Sequence, residues 1–273
     1  MNKQQLIRWI SEKQLIRLCA YPLIMSKYVR AKNDYACSEN PAKIRLLHNS
    51  ESGKRCVIVG NGPSLTTHDL DLLYARKELC FGMNHIYDLF SCTKWRPNYY
   101  ICYDRDFIRS EYKALLNLPV EKILIEYSKA PKKKIQKKNV YYYISDYVFN
   151  KSRGKAITSH VCTDLSQNAS FVTNTTHLCI EFAIYMGFKE IILIGVDHDY
   201  SFGYGKNHAK GIKEGKQNDE NHYHNCDLEV SVQKYLQYKE YADCNGIRIL
   251  NATKGGKLEV FERADLEKIL ASY

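Results

Sequence analysis

The chain has 273 residues, of which 45% are hydrophobic and 26% are charged. This composition is typical of folded globular proteins and excludes a chain that is disordered along its whole length. The formal net charge of +10 favours anionic partners, such as a nucleotide, an acidic glycan or an anionic membrane surface. We expect no nucleic acid partner, because the lysines cluster without the interleaved aromatic residues of a recognised binding module.

The ten cysteines are dispersed along the chain, and no two of them form a Cys-x-x-Cys pair. This spacing is not that of a disulfide framework or a zinc ribbon, so we expect thiols in a reducing cytoplasm. No run of about 18 uncharged apolar residues is present, so the sequence predicts no membrane-spanning helix. These features together predict a cytoplasmic protein.

The amino-terminal segment has a composition of its own. Residues 1–34 combine a helical apolar pattern with many basic side chains, and such a helix can lie on an anionic membrane surface. In that case the protein is peripheral at the inner face of the cell membrane. The alternative is a helix that packs on the domain or on another subunit of a homo-oligomer. We assign residues 1–50 to an amino-terminal helical extension and residues 51–273 to one domain.

The domain is predicted to alternate strands and helices. Residues 56–59 form a short β-branched run that ends at a glycine-rich turn, which is typical of a buried first strand. Further candidate strands are residues 79–83, 99–103, 122–126, 140–144, 191–194 and 247–250. The clearest helices are residues 176–186 and 229–244, and Thr66 or Thr67 can cap a helix after the first strand. This order predicts an α/β fold with a Rossmann-like, doubly wound and mainly parallel sheet.

Two polar segments interrupt the domain. Residues 129–138 contain six lysines, which indicates a solvated loop or a patch that faces the acceptor. Residues 199–226 are rich in Gly, Asn, His and Lys, and they follow a buried strand. A long polar loop in that position predicts a lid-like insertion over a site.

The strongest functional motif is the glycine-rich turn at residues 60–65. Gly60 and Gly62 permit close approach of the backbone to a phosphate or sugar, and Asn61 and Ser64 add polar side chains. The motif lacks the third glycine of a dinucleotide fingerprint and the Gly-Lys-Ser/Thr of a P-loop. We favour a nucleotide-binding loop over a plain turn between strand and helix.

Other polar residues also follow predicted strands or begin a helix. Asn84, Asp104 and Asp197 each come directly after a strand, and ligands of such sheets bind outside the carboxyl ends of the strands. Asn174 and Thr175 precede the helix at 176–186, where they can cap the helix or contact a phosphate. We therefore expect these residues to line one shared nucleotide site.

The predicted lid carries the candidate catalytic histidine. Because histidine as a residue type titrates near neutral pH, His222 is interpreted as a general acid or base. The alternative is an exposed histidine without a role. His222, His224 and Cys226 also suggest a zinc site, but no fourth ligand follows from their spacing. We predict no metal site.

Several of these motifs resemble two known families. The segments at 57–65, 186–191, 195–197 and 218–223 are similar to motifs of the small bacterial sialyltransferases that use CMP-sialic acid. The opening motif, the Gly-Val-Asp block and residues 251–261 resemble the MptE-like family, over roughly residues 50–265. That family includes archaeal 6-hydroxymethylpterin pyrophosphokinases and bacterial proteins associated with surface polysaccharides. The resemblance implies a shared fold more firmly than a shared reaction.

The sialyltransferase resemblance also implies roles for individual residues. Asn61 and Asn84 would contact the nucleotide, Thr175 would place a hydroxyl near the donor, and His222 would be the general base. Two positions depart from that pattern. Asp104 stands where those enzymes use an asparagine, and Val172 stands about where they use an arginine near the donor phosphate.

These observations predict an inverting glycosyltransferase. It would transfer a nonulosonic acid or a related acidic sugar from a CMP-sugar donor to a surface glycan or lipid-linked glycan. Tyr200 and Tyr204 would stabilise the leaving group, and no cofactor would be required. The alternative is a pyrophosphokinase acting on a hydroxymethyl pterin, with Mg²⁺ on Asp104 and Asp197. A third hypothesis is a non-catalytic nucleotide-binding factor in polysaccharide assembly.

Overall fold

A computed structural model describes residues 25–146, 161–170, 172–199, 207–212 and 228–271. Within these residues, eight strands form one sheet: β1 Arg55–Val59, β2 Cys80–Met83, β3 Tyr99–Cys102, β4 Lys122–Glu126, β5 Val140–Tyr143, β6 Glu190–Ile194, β7 Arg248–Asn251 and β8 Glu262–Arg263. The described helices are α1 (residues 25–36), α2 Asn40–Arg45, α3 Thr67–Arg76, α4 Arg105–Leu115, α5 Thr175–Tyr185, α6 Leu228–Cys244 and α7 Leu266–Ala271. A 3₁₀ helix spans Asn84–Ser91.

The sheet is parallel throughout, with the strand order β5-β4-β3-β2-β1-β6-β7-β8. The chain builds outward from β1 to β5, returns to place β6 on the other side of β1, and then builds outward to β8. The connection therefore reverses direction between β1 and β6. Ligands of doubly wound sheets bind at such a switch point, outside the carboxyl ends of the strands. The predicted Rossmann-like α/β fold is confirmed.

Strands β1 to β4 and β6 are buried on both faces, which explains their largely apolar sequences, whereas β8 at the edge is exposed. In β1, Cys56 and Ile58 belong to one core cluster while Val57 and Val59 belong to the other, because successive side chains point to opposite faces. Helix α5 is also buried at every position. It contacts β1, β2 and β3, so it is a central helix that holds its amino terminus against the sheet.

The described part of the amino-terminal extension packs on the domain. Residues 25–36 are helical, and Tyr35 is buried with its hydroxyl donating to the Ser166 carbonyl at 3.1 Å. Ile44 and Leu47 lie in the same core cluster as Cys56 and Ile58 of β1. The boundary at residue 50 stays a prediction, and residues 1–24 lie outside the described residues. Among the described helices, none is long and apolar enough to cross a membrane.

The turn from β1 to α3 is fixed by a capping box. The Thr66 side chain accepts a hydrogen bond from the Asp69 backbone N–H, and the Asp69 carboxylate accepts one from the Thr66 backbone N–H at 3.0 Å. Two amide groups at the start of the helix are thereby satisfied. Of the two threonines predicted to cap this helix, Thr66 is the cap. The glycine-rich motif therefore lies between the end of β1 and a firmly anchored helix.

Candidate functional site

A cleft opens at the carboxyl ends of β1 and β6, at the switch point of the sheet. Among the described residues its cavity has a volume of about 130 Å³. The described residues that line it come from the loops after both strands, the start of α5, residues 207–208 and one residue of α6. They are Gly60, Asn61, Gly62, Asn174, Thr176, Gly195, Val196, Asp197, His198, Asp199, Asn207, His208 and Tyr235.

The loops after β1 and β6 pack backbone against backbone. A Cβ atom on Gly60 would lie 2.3 Å from the Gly195 carbonyl oxygen, and Gly195 has a φ of +63°. The Gly62 amide donates to the Gly195 carbonyl at 2.8 Å. The two loops could not pack this closely if these glycines carried side chains. This packing requires the glycines whether or not a ligand also approaches the loop.

Asp197 occupies the space directly beside the glycine-rich loop. Its carboxylate accepts hydrogen bonds from the Ser64 hydroxyl at 2.8 Å and from the Ser64 backbone N–H at 3.3 Å. A Cβ atom on Gly62 would lie 1.9 Å from Asp197 Oδ2. Burial raises the pKa of Asp197, and the hydrogen bonds from Ser64 partly offset that effect. The Asp197 carboxylate thus accepts the hydrogen bond of the Ser64 backbone N–H, which could otherwise donate to a phosphate.

Two buried amide oxygens near the cleft have no hydrogen-bond partner among the described residues: Asn61 Oδ1 and Asn84 Oδ1. The Asn61 side chain donates to the Met83 carbonyl at 3.2 Å, and the Asn84 side chain donates to Thr175 Oγ1 at 3.3 Å. Each side chain is therefore held by a hydrogen bond from its amide nitrogen, whereas its amide oxygen has no partner among the described residues. An unpaired buried acceptor costs about 1–3 kcal/mol, which a ligand with O–H or N–H donors would recover.

The start of α5 forms another wall of the cleft. Asn174 caps the helix, since its Oδ1 accepts the His177 backbone N–H at 3.1 Å. Its Nδ2 donates to Ser231 Oγ at 3.1 Å and to the Tyr235 hydroxyl at 3.4 Å, which ties α5 to α6. The amino terminus of a helix favours anions through its unpaired amides and its dipole. This wall is the part of the cleft best suited to a phosphate.

The predicted site residues do not all line the cleft. Gly60, Asn61, Gly62, Asn174 and Asp197 line it. Ser64, Asn84 and Thr175 are not among the described lining residues but are joined to its walls, since Ser64 hydrogen-bonds to Asp197 and Asn84 hydrogen-bonds to Thr175, beside Asn174 and Thr176. Asp104 is exposed and caps α4 by accepting the Phe107 backbone N–H at 2.7 Å. Asp104 is not among the described residues that line the cleft, and its role in the structure is to cap α4.

Three residues that the sequence motifs did not single out, His198, Asp199 and His208, also line the cleft. The Asp199 carboxylate pairs with Lys257 Nζ at 3.0 Å, and His198 has a φ of +51°. A signal for two of them is present in the sequence, because His198 and Asp199 directly follow Asp197 at the end of β6. A left-handed histidine at a strand end is an unusual conformation that often marks a functional site.

The predicted catalytic residues Tyr200, Tyr204 and His222 lie outside the described residues. His224 and Cys226, which were considered as zinc ligands, lie outside them as well. In the part of the chain that the structure describes, no group of three or more His, Cys, Asp or Glu side chains could hold a metal ion. The eight described cysteines are free thiols.

Comparison with known families identifies the chain. Residues 32–203, more than half of the sequence, match the model of a family described as 6-hydroxymethylpterin diphosphokinase MptE-like. The chain belongs to the MptE-like family. Searches of curated proteins and of solved structures found no match for this MptE-like chain.

The match covers most of the cleft. It includes β1 to β6, the glycine-rich loop, the start of α5 and the segment from Gly195 to Asp199. It ends before Tyr204, His222 and the whole of α6. The part shared with the MptE-like family therefore contains most of the residues that line the cleft, whereas the predicted catalytic histidine belongs to the segment beyond it.

Proposed function

We propose that this MptE-like protein is an inverting glycosyltransferase that transfers an acidic sugar from a CMP-sugar donor. The observation that supports this most is the charge of the cleft. Among the described lining residues, two are aspartates and none is a lysine or an arginine. A nucleoside triphosphate carries about four negative charges, which such a surface would repel without bound cations. A CMP-linked acidic sugar carries only about two negative charges, one on the phosphodiester and one on the sugar carboxylate, so the repulsion is weaker.

The acceptor groups of the cleft suit the nucleoside. Asn61 Oδ1, Asn84 Oδ1 and the Asp197 carboxylate are hydrogen-bond acceptors near the ends of β1, β2 and β6. A ribose supplies hydroxyl donors and a cytosine supplies amino donors. We place the nucleoside over the glycine-rich loop and the phosphate at the start of α5, beside Asn174 and Thr176. This arrangement keeps the phosphate at the helix terminus that favours anions.

The reaction needs a base and a stabilised leaving group. The acceptor hydroxyl attacks the anomeric carbon, its proton passes to His222, and the bond from that carbon to the phosphate oxygen breaks. The electron pair stays on the phosphate, and CMP leaves. Tyr200 and Tyr204 would donate hydrogen bonds to it. The acceptor is a surface glycan or a lipid-linked glycan, so we also propose a cytoplasmic location with peripheral contact through the basic amino-terminal segment.

The family description favours a second candidate, a Mg²⁺-dependent diphosphokinase acting on a hydroxymethyl pterin. Such an enzyme binds ATP with Mg²⁺ held by carboxylates. In this cleft the Asp197 carboxylate is engaged by Ser64 and the Asp199 carboxylate by Lys257. Asp104, the other predicted ligand, caps α4. The described carboxylates therefore fit a metal site poorly unless their present partners are released.

One assay distinguishes the two reactions. The full chain is incubated with a CMP-nonulosonic acid and a surface-glycan extract as acceptor in the presence of EDTA, and the release of CMP is measured by chromatography. We expect CMP release that EDTA does not inhibit, because glycosyl transfer from this donor does not intrinsically need a metal. A parallel reaction contains ATP, Mg²⁺ and a hydroxymethyl dihydropterin. AMP formation there, with no CMP release in the first reaction, would contradict the proposal and establish the diphosphokinase.

A further inference from the structure

Ser231 of α6 is a buried hydroxyl that joins three polar side chains. Its Oγ lies 3.1 Å from Asn174 Nδ2, 3.1 Å from His198 Nε2 and 3.5 Å from His177 Nε2. The other ring nitrogen of His177 lies 3.4 Å from Thr173 Oγ1. A chain of hydrogen-bonding groups therefore leads from the cleft, at His198, to a histidine in the core.

Both imidazoles are held in place by packing. His177 is fully buried and meets the Tyr235 ring edge-to-face, with a centroid separation of 4.2 Å. The His198 ring also meets Tyr235 edge-to-face, at 5.7 Å, and lines the cleft. The φ of +51° at His198 is uncommon for a residue with a Cβ atom, so the fold keeps this side chain in the cleft at some conformational cost.

The surroundings of both histidines favour the neutral imidazole. Burial lowers the pKa of His177 well below its ordinary value, and the nearby positive charge of Lys234 lowers it further. Burial also lowers the pKa of His198. A neutral imidazole carries one N–H and one acceptor nitrogen, and the partner of one nitrogen decides which nitrogen holds the proton.

The hydrogen-bond inventory of Ser231 limits the arrangements. Asn174 Nδ2 can only donate, so the Ser231 oxygen accepts that bond and has a single proton to give. If this proton points to His198 Nε2, then His177 Nε2–H donates to Ser231 and Thr173 donates to His177 Nδ1. These groups are then satisfied, and the proton of His198 is on Nδ1. The reverse arrangement, in which Ser231 donates to His177 Nε2 and His198 Nε2–H donates to Ser231, satisfies them as well. The shorter distance from Ser231 Oγ to His198 Nε2, 3.1 Å against 3.5 Å to His177 Nε2, favours the first arrangement, because O–H donors form the shorter hydrogen bonds.

We propose that His198 is a further catalytic residue, a neutral hydrogen-bond donor to the leaving phosphate, held in its Nδ1–H tautomer by Ser231. His177 and Asn174 are positioning residues, because they fix the direction of the Ser231 hydroxyl. This inference rests on the proposed glycosyl transfer. In that reaction the phosphate oxygen gains charge as its bond to the anomeric carbon breaks, and the Nδ1–H bond to it shortens without proton transfer.

A neutral donor suits this cleft for an electrostatic reason. None of the described lining residues is a lysine or an arginine, so within this part of the cleft the groups that can meet charge on the phosphate are N–H and O–H donors. Asn174 Nδ2 is already committed to Ser231 and Tyr235. Preorganised neutral donors stabilise developing charge strongly, because they need no reorganisation during the reaction. A neutral histidine that polarises an oxygen is an established catalytic device in other enzymes.

The first test compares two substitutions of His198 in the CMP-release assay. His198→Ala should lower kcat by about 10²–10³-fold with little change in KM, the usual effect of losing one such donor. His198→Asn places an amide nitrogen close to the position of Nδ1, and asparagine tolerates the left-handed backbone. We expect the kcat of His198→Asn to be at least ten-fold higher than the kcat of His198→Ala. A His198→Ala enzyme with wild-type kcat would overturn the inference while leaving the proposed function in place.

The second test does not depend on activity. Long-range ¹⁵N NMR of the histidine-labelled protein reports which ring nitrogen carries the proton. We expect the Nδ1–H tautomer for His198 in the wild type and in Ser231→Thr, which keeps the hydroxyl, and a mixture of tautomers in Ser231→Ala. A wild-type His198 protonated on Nε2 would overturn the inference. Absence of CMP release by the wild type would instead contradict the proposed function itself.

Discussion

Replacing His222 with alanine is expected to lower the kcat of sugar transfer by about 10²–10⁴-fold, the usual scale for general acid–base catalysis. The acceptor hydroxyl would lose the group that takes its proton, whereas the proposed nucleotide contacts involve other residues. We therefore expect the affinity for CMP to change little. Single-turnover rates with the CMP-sugar, together with calorimetric titration of CMP, measure these two quantities separately.

His224→Ala is the matched control for this experiment. A base requires one histidine, so His224→Ala should keep nearly the wild-type kcat. A zinc site would require both side chains. Equal losses in the two variants, restored by added zinc, would favour a metal site. An active enzyme in which His222→Ala has no effect would show that His222 is not the base.

Replacing Gly60 with alanine is expected to destabilise the fold by about 3 kcal/mol or more, at the upper end of the usual cost of overpacking. The new Cβ atom would lie 2.3 Å from the Gly195 carbonyl oxygen, and the obstacle is backbone rather than the flexible end of a side chain. Relief requires β1 and β6 to separate at their carboxyl ends, where both strands belong to the core. Urea unfolding followed by circular dichroism measures the change in the free energy of unfolding.

Gly246→Ala is the control for the loss of a glycine as such. Gly246 has a φ of +62°, and a Cβ atom added there would meet no atom within 4 Å. The substitution should therefore cost only about 1 kcal/mol of backbone strain. Equal effects of the two substitutions would show that the contact between the two glycine loops does not hold the site together. Gly60→Ala should also abolish nucleotide binding at temperatures where the variant stays folded.

The sequence predicted most of the sheet because its strands carry strong local signals. Runs such as residues 56–59 and 191–194 are β-branched or aliphatic, and each ends at a turn. Helix α4 also carries a local signal, since its apolar residues Phe107, Ile108, Tyr112 and Leu115 recur at helical spacing. Strand β8 lacks such a signal, because it consists only of Glu262 and Arg263. This two-residue edge strand is defined by its pairing with β7, and that pairing cannot be predicted from the local sequence.

The candidate site was predicted in part for the same reason. Residues that follow a strand can be identified from the sequence, and Asn61 and Asp197 do line the cleft. The residues that contact them across the fold could not be identified from the sequence. The bond from Ser64 to Asp197 and the contact between His198 and Ser231 join distant parts of the chain, and they depend on β6 lying beside β1. Strand order is set by tertiary packing, so these contacts follow only from the folded chain.

Binding of CMP without metal is the most direct test of the proposed glycosyl transfer. Thermal unfolding of the full chain is measured with CMP or with ATP, each in EDTA and in Mg²⁺. At 100 times its Kd, a ligand stabilises the native state by about 2.7 kcal/mol, which shifts Tm by several degrees. We predict that CMP raises Tm equally in EDTA and in Mg²⁺. Stabilisation by ATP only with Mg²⁺, and none by CMP, would contradict a CMP-sugar donor.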